Sequence, residues 1–222
     1  MSGLNILLHS LTDDVKEQLD KGLAKLGLVT TAEQLNQLLG LLALLHKWNR
    51  AYNLTAVRDI RDMVSRHLLD SASVSPFVSG PRLLDVGSGP GFPGLVLAIL
   101  NPDLAVTLVD SNGKKVRFQR QAVMELGINN VTPVQTRVET FAAGTFDQVI
   151  SRAFASLGDF IGLTRALPTS EGQWLAMKGP GVEHELDTLP DDIALQAHHL
   201  LQVPYDAAQR QLLILTRKEL CK

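Results

Sequence analysis

Residues 83–94, Leu-Leu-Asp-Val-Gly-Ser-Gly-Pro-Gly-Phe-Pro-Gly, carry the densest chemistry in the chain. Gly87, Gly89 and Gly91 alternate between two short apolar runs. Glycine backbone can turn sharply there and let a ligand come close, with the N–H groups of a following helix facing it. That pattern points to a nucleotide-like cofactor. A dinucleotide fingerprint counted from Gly87 wants a small residue at position 92 for helix–strand packing, and Phe92 stands there. Gly89, Gly91 and Gly94 do have the dinucleotide spacing, but that register starts beyond the strand, so a nicotinamide-dependent oxidoreductase is the weaker reading. Pro90 and Pro93 remove two N–H donors that a pyrophosphate would use, whereas S-adenosylmethionine has no phosphate to cradle. Asp85 puts a carboxylate at the strand end. It can face the cationic methionine portion, orient neighbouring groups, or simply brace the loop. Asp110, about 20 residues beyond the glycines, is placed for the ribose hydroxyls of either cofactor class.

Such residues need a sheet edge to hold them. Residues 82–86 and 105–109 read as buried strands, with a helix over 92–100 between them that Asn101-Pro102 ends. A helix over 114–126 stopped by Gly127 follows, then strands near 131–135 and 146–150, a helix after Ser156 and a strand near 173–177. Residues 200–203 and 212–216 look like an antiparallel pair closing the sheet. This alternation predicts a mainly parallel sheet covered on both faces, with ligands beyond the carboxyl ends of its central strands. The first eighty residues read as helical. Thr12 caps a helix with Val15, Leu19, Leu23 and Leu26 inward, and Gly27 ends it. Thr31 and Gln34 have capping-box spacing ahead of Leu35, Leu38, Leu39, Leu42 and Leu45. A shorter helix around 63–69 turns Val64 and Leu68 inward and leaves Arg66 and Asp70 on another face. Pro76, Gly80 and Pro81 mark a joint, dividing the chain into residues 1–80 and 81–222.

Composition narrows the classes. The 222 residues are 45% hydrophobic and 20% charged, which suits a packed core. The longest apolar stretches fall far short of the ~20 residues a membrane helix needs, and no base precedes the short apolar stretch 4–8 as in a secretory signal. A cytoplasmic protein without membrane association is expected. Cys221 is the one cysteine, which excludes an intrachain disulfide and a Cys-rich metal site and gives that residue no expected role. His198 and His199 would point to opposite faces of a strand, and His184 has no acid cluster around it, so no metal is expected. The net charge of −2 hides one basic stretch. Residues 46–67 hold Lys47, Arg50, Arg58, Arg61 and Arg66 against Asp59 and Asp62, a net of +3, leaving −5 for the remainder. Lys47, Arg50, Arg58 and Arg66 can neutralise phosphates, while His46, Trp48 and Tyr52 offer stacking faces for an unstacked base. Lys47, Trp48, Arg50, Arg58, Arg66 and His67 therefore form the candidate RNA-facing set. Trp48 and Tyr52 also suit anchors for the helical extension, and Arg66, His67 and Asp70 a local salt-bridged helix face.

Four segments in one order carry a family resemblance: His46-Lys47-Trp48-Asn49-Arg50-Ala51-Tyr52-Asn53-Leu54-Thr55, Arg66-His67-Leu68-Leu69-Asp70-Ser71, the glycine loop, and Ile150-Ser151-Arg152-Ala153-Phe154-Ala155. Together they resemble the bacterial small-subunit ribosomal RNA guanine-N7 methyltransferases, also called glucose-inhibited division protein B, from about Leu35 to Lys178. The resemblance implies an α/β, Rossmann-like class I methyltransferase fold: a mainly parallel seven-stranded sheet with one antiparallel strand, after an N-terminal helical extension. It also implies methyl transfer from S-adenosylmethionine to N7 of one guanine in 16S ribosomal RNA, with that RNA or a small-subunit precursor as partner. Carried onto this chain, the cofactor contacts fall on Gly87, Phe92, Val138, Glu139 and Arg152, with Arg152 orienting cofactor or guanine. A backbone N–H and a carboxylate at Val138 and Glu139 suit an adenine ring nitrogen and its amine. Guanine N7 already carries a free lone pair, so no general base is expected. The alternatives are a class I methyltransferase acting on a small molecule or a protein, and an RNA-binding module that keeps the fold without catalysis.

Overall fold

The computed structural model describes residues 3–142, 144–152, 154 and 156–218; Ala153, Ala155 and Cys221 lie outside the described residues. Seven strands form one sheet: β1 (Arg82–Val86), β2 (Ala105–Asp110), β3 (Val131–Gln135), β4 (Phe146–Ser151), β5 (Pro168–Lys178), β6 (Ile193–Leu201) and β7 (Arg210–Arg217). Their order is β3-β2-β1-β4-β5-β7-β6. Every pairing is parallel except those of β7, which is antiparallel to both β5 and β6. The chain steps outward from β1 to β3, then returns to place β4 on the other side of β1. Such a reversal opens a crevice beyond the strand carboxyl ends. Because β7 runs the other way, its first residues reach the same edge: Gln211 lies opposite Lys178, the last residue of β5.

Strand side chains alternate between two cores. On one face Leu83, Val106, Leu108 and Leu175 pack with α5 (Gly94–Leu100) and α6 (Gly113–Leu126). On the other, Leu84, Val86, Val109 and the fully buried Trp174 pack with α7 (Leu157–Thr164). The N-terminal helices join the first core. They are α1 (Gly3–His9), α2 (Asp13–Lys25), α3 (Ala32–Tyr52) and α4, which is three abutting segments: Ile60–Met63, the π-helical Val64–Leu69 and Asp70–Ala72. Val15, Leu19 and Leu23 of α2 and Leu38, Leu42 and Leu45 of α3 are buried there. At the start of α3 the Gln34 N–H donates to the Thr31 hydroxyl, and the Thr31 N–H to the Gln34 side chain, closing the capping box. A short α8 (Glu183–Leu186) precedes β6. No described helix is long and apolar enough to cross a membrane.

The structure corrects four local expectations. The helix read from position 92 starts at Gly94, because residues 87–93 are loop. Strand β5 spans 168–178, its polar Thr169-Ser170-Glu171 and Gly172 hiding the first half. Strand β6 spans 193–201, and as an edge strand with partial exposure on both faces it shows no clean alternation. Asp70, expected on an outer helix face, is buried, because the π turn widens the helix just before it.

Candidate active site

Three glycines give the 87–93 loop its path, with φ of +67° at Gly87, +59° at Gly89 and +102° at Gly91, a region that side-chain-bearing residues avoid. The loop is braced from below. The Gly94 N–H donates to Asp85 Oδ2 at 2.7 Å and the Gly89 N–H to Asp110 Oδ2 at 2.8 Å. From α6, Gln119 Nε2 donates to Ser88 Oγ at 2.9 Å and to the Gly89 carbonyl at 2.7 Å. Asp85 is wholly buried with Oδ1 unpartnered. Burial pushes its carboxyl up to about 7, against the Gly94 N–H and Arg152 and with help from Asp110. Of the roles open to Asp85, loop bracing is the one its Oδ2 performs.

Beyond β1, β2 and β3 lies a cleft of about 350 Å³ lined by Val86, Gly87, Val109, Asp110, Ser111, Thr136, Arg137, Val138, Glu139, Phe154 and Leu163. It brings together four of the expected cofactor residues: Gly87, Asp110, Val138 and Glu139. Asp110 also accepts from the Asn112 N–H at 2.8 Å through Oδ1, so backbone donors fix both its oxygens, each keeping a lone pair for a further donor. Gly89 and Gly91 shape the loop, and Phe92 is buried behind it.

Arg152 lines a second recess of about 320 Å³, beyond β4, β5 and β6 and at the start of β7. Two residues of the chain after β4, Arg152 and Phe154, line the two different spaces. Ser151 Oγ donates to the Val86 carbonyl at 2.7 Å, Arg152 turns into the recess, and Phe154 lines the cleft. Within the recess, Arg152 donates through one guanidinium nitrogen to Asp70 Oδ2 at 2.8 Å and to the Arg66 carbonyl at 3.0 Å. Arg210 Nε stands 3.3 Å from Asp70 Oδ1, an ion-pair contact without hydrogen-bond alignment. The Arg152 guanidinium also lies 6.0 Å from the Phe92 ring centroid.

His67, expected in the RNA-facing set, is a buried ring on the wall of the recess, stacked on Phe92 at 5.1 Å, with Nε2 2.8 Å from the Thr55 hydroxyl. Burial, helped by Arg152, drives its pKa down to about 3, so it is neutral at physiological pH. Trp48 is half-buried and packs edge-on against Phe118 at 5.8 Å, beside Tyr52 at 5.1 Å, which is the anchoring reading. Lys47 and Arg50 are exposed at the end of α3, Arg58 on the segment after it and Arg66 on α4, with Arg58 donating to Asn53 Oδ1 at 2.7 Å. Among the described residues, no group of three His, Cys, Asp or Glu could hold a metal.

Sequence reasoning missed several members. Asn49 donates to the Val57 carbonyl at 2.9 Å and accepts from the Thr55 N–H at 2.9 Å, folding the 53–57 turn toward the recess. Gln119 had a signal, a polar residue on an apolar helix face between Val116 and Ala122. Arg210 had none, since only the antiparallel course of β7 brings it here.

The family described as rRNA small subunit methyltransferase G (GidB) matches residues 34–214. A Chromohalobacter salexigens protein named Ribosomal RNA small subunit methyltransferase G is 63% identical over 207 residues, covering 93% of this chain and all of the relative. One of the same name from Pseudomonas aeruginosa PAO1 is 50% identical over 212 residues, covering 95% and 99%. Among solved structures, TrmN from Thermus thermophilus superposes with a TM-score of 0.54 at 17% identity, covering 70% of this chain and 53% of that one. A Pyrococcus abyssi tRNA (uracil-54, C5)-methyltransferase in complex with S-adenosyl-L-homocysteine does so with 0.53 at 21%, covering 66% and 37%.

Proposed function

The chain belongs to the rRNA small subunit methyltransferase G family, and from that membership we propose that it methylates N7 of one guanine in the 16S RNA of the small ribosomal subunit or its precursor, in the cytoplasm. It is an S-adenosylmethionine-dependent methyltransferase of ribosomal RNA. What carries the finer reading is that two spaces open beyond the strand ends, one lined by Gly87, Asp110 and Glu139 and suited to the cofactor, the other lined by Arg152 and suited to a base. Relatives named for ribosomal RNA do not favour a small-molecule or protein substrate.

The cleft residues fit the cofactor. Asp110 keeps acceptor capacity for ribose hydroxyls, Glu139 offers a carboxylate to an adenine amine, and Val138, Phe154 and Leu163 supply an apolar wall. When bound, S-adenosylmethionine supplies a methyl group activated by its sulfonium. The protein's residues then orient and desolvate. Because guanine N7 has a free lone pair, the site needs alignment and a dry environment rather than a base. Arg152, held on Asp70 and the Arg66 carbonyl, orients. Residues 1–80, with Lys47, Arg50, Arg58 and Arg66, serve as the RNA-facing extension of the methyl-transferring unit 81–222. Borohydride and aniline treatment of RNA methylated by the chain tests the reading, because it cuts at N7-methylguanosine. One new cut is expected, and uncut but labelled RNA would refute N7 as the attacked atom.

A further inference from the structure

The recess around Arg152 has a second guanidinium that the proposed chemistry has not used. Arg210 comes from the start of β7, and only an antiparallel last strand could deliver it to the carboxyl edge of a parallel sheet. Asp70 lies between the two arginines on the residue that follows the π turn, its side chain 2% exposed, with one oxygen toward each. Asp70 hydrogen-bonds Arg152 and attracts Arg210 by charge alone, so one buried carboxylate orders both guanidinium groups. Arg210 is further held by Asp206 at 3.2 Å. Three separate parts of the chain thus converge: the helical extension through Asp70, the end of β4 through Arg152 and the C-terminal strand pair through Arg210.

The donors point to a ligand. Guanine presents O6 as an acceptor beside N7, whereas adenine presents an amine at that place. A guanidinium donating to O6 holds guanine, leaves the N7 lone pair bare for attack, and meets adenine with donor against donor. Arg66, exposed on the same wall, adds positive charge, which suits the phosphate that accompanies a nucleotide swung out of its stack. We propose that this recess seats the target guanine, that Arg210 donates to its O6 and so selects guanine over adenine, and that Asp70 is the positioning residue for Arg210 and Arg152. The proposal rests on the RNA-methylating reading above, and it gives the C-terminal strand pair a role in substrate recognition.

The test is steady-state methylation of 16S RNA or small subunits from cells lacking this gene, with cofactor affinity measured separately by calorimetry. Arg210→Ala is expected to lower kcat/KM for RNA roughly 10- to 100-fold while leaving the cofactor Kd within about twofold. Asp70→Asn is expected to show a comparable loss, and the Asp70→Asn/Arg210→Ala double variant little further loss, because one mount serves both. Arg210 is partly exposed, so its variant decides the matter even if Asp70→Asn fails to fold. RNA kinetics within twofold of wild type for Arg210→Ala, or an equal loss of cofactor affinity, would overturn the proposal. A wild-type protein that binds cofactor but leaves RNA unlabelled would overturn the underlying reading instead, and the guanine assignment with it.

Discussion

Asp85 and His67 are buried ionisable groups that pull stability in opposite directions. Asp85, raised to about 7, holds a proton in the folded state that the unfolded chain has released, so its contribution falls as pH rises from about 4 to about 7. His67, lowered to about 3, stays neutral while the unfolded chain takes up a proton below about 6.5, so its contribution falls as pH drops through that range. Over most of the window the two slopes offset each other. Denaturation at several pH values therefore separates them: Asp85→Asn should gain on wild type with rising pH, by on the order of 1–4 kcal/mol, and His67→Gln should gain with falling pH. A pH-independent difference for both variants would contradict the burial argument. Two further substitutions separate the spaces. Arg152→Ala should abolish methyl transfer with the fold intact, whereas Asp110→Ala should mainly weaken cofactor binding, since it frees the Gly89 and Asn112 N–H groups. Calorimetry alongside methyl-transfer assays checks both, and full activity in Arg152→Ala would remove that residue from the site.

Elements explain which parts were readable. The strands around β1 and the capped α3 were legible because each has a local signature: short apolar pairs between turn residues in β1, β2 and β4, and the Thr31–Gln34 box. The glycine loop was legible as a ligand site for the same reason, and its geometry gives a prediction. A methyl group at Gly91 would sit 2.4 Å from Leu95 Cδ1 at a φ of +102°, so Gly91→Ala should cost roughly 2 kcal/mol or more and loosen cofactor binding. Thermal melts with and without cofactor measure both effects. The π turn of α4 was not legible, since nothing in Val64–Leu69 marks an extra residue per turn, and with it went the burial of Asp70 and the neutral state of His67. At the exposed end of α3, charge reversal at Lys47 and Arg50 should weaken RNA binding and flatten its salt dependence while leaving cofactor affinity unchanged. An unchanged salt slope would place the RNA surface elsewhere.

On the scale of the whole molecule, one core runs from the N-terminal helices through α5 and α6 to one face of the sheet. The helical extension is therefore packed into the body that carries the cleft, and its π turn lands at the sheet edge where Arg152 and Arg210 meet it. The near-neutral total charge, with its +3 stretch over 46–67, fits a protein whose affinity for RNA is concentrated at that edge. The direct test of the central claim is transfer of a tritiated methyl group from S-adenosylmethionine into 16S RNA of small subunits from cells lacking this gene, followed by nucleoside digestion and chromatography. Label is expected in N7-methylguanosine alone; label in another nucleoside, or none in RNA while the cofactor still binds, would contradict it.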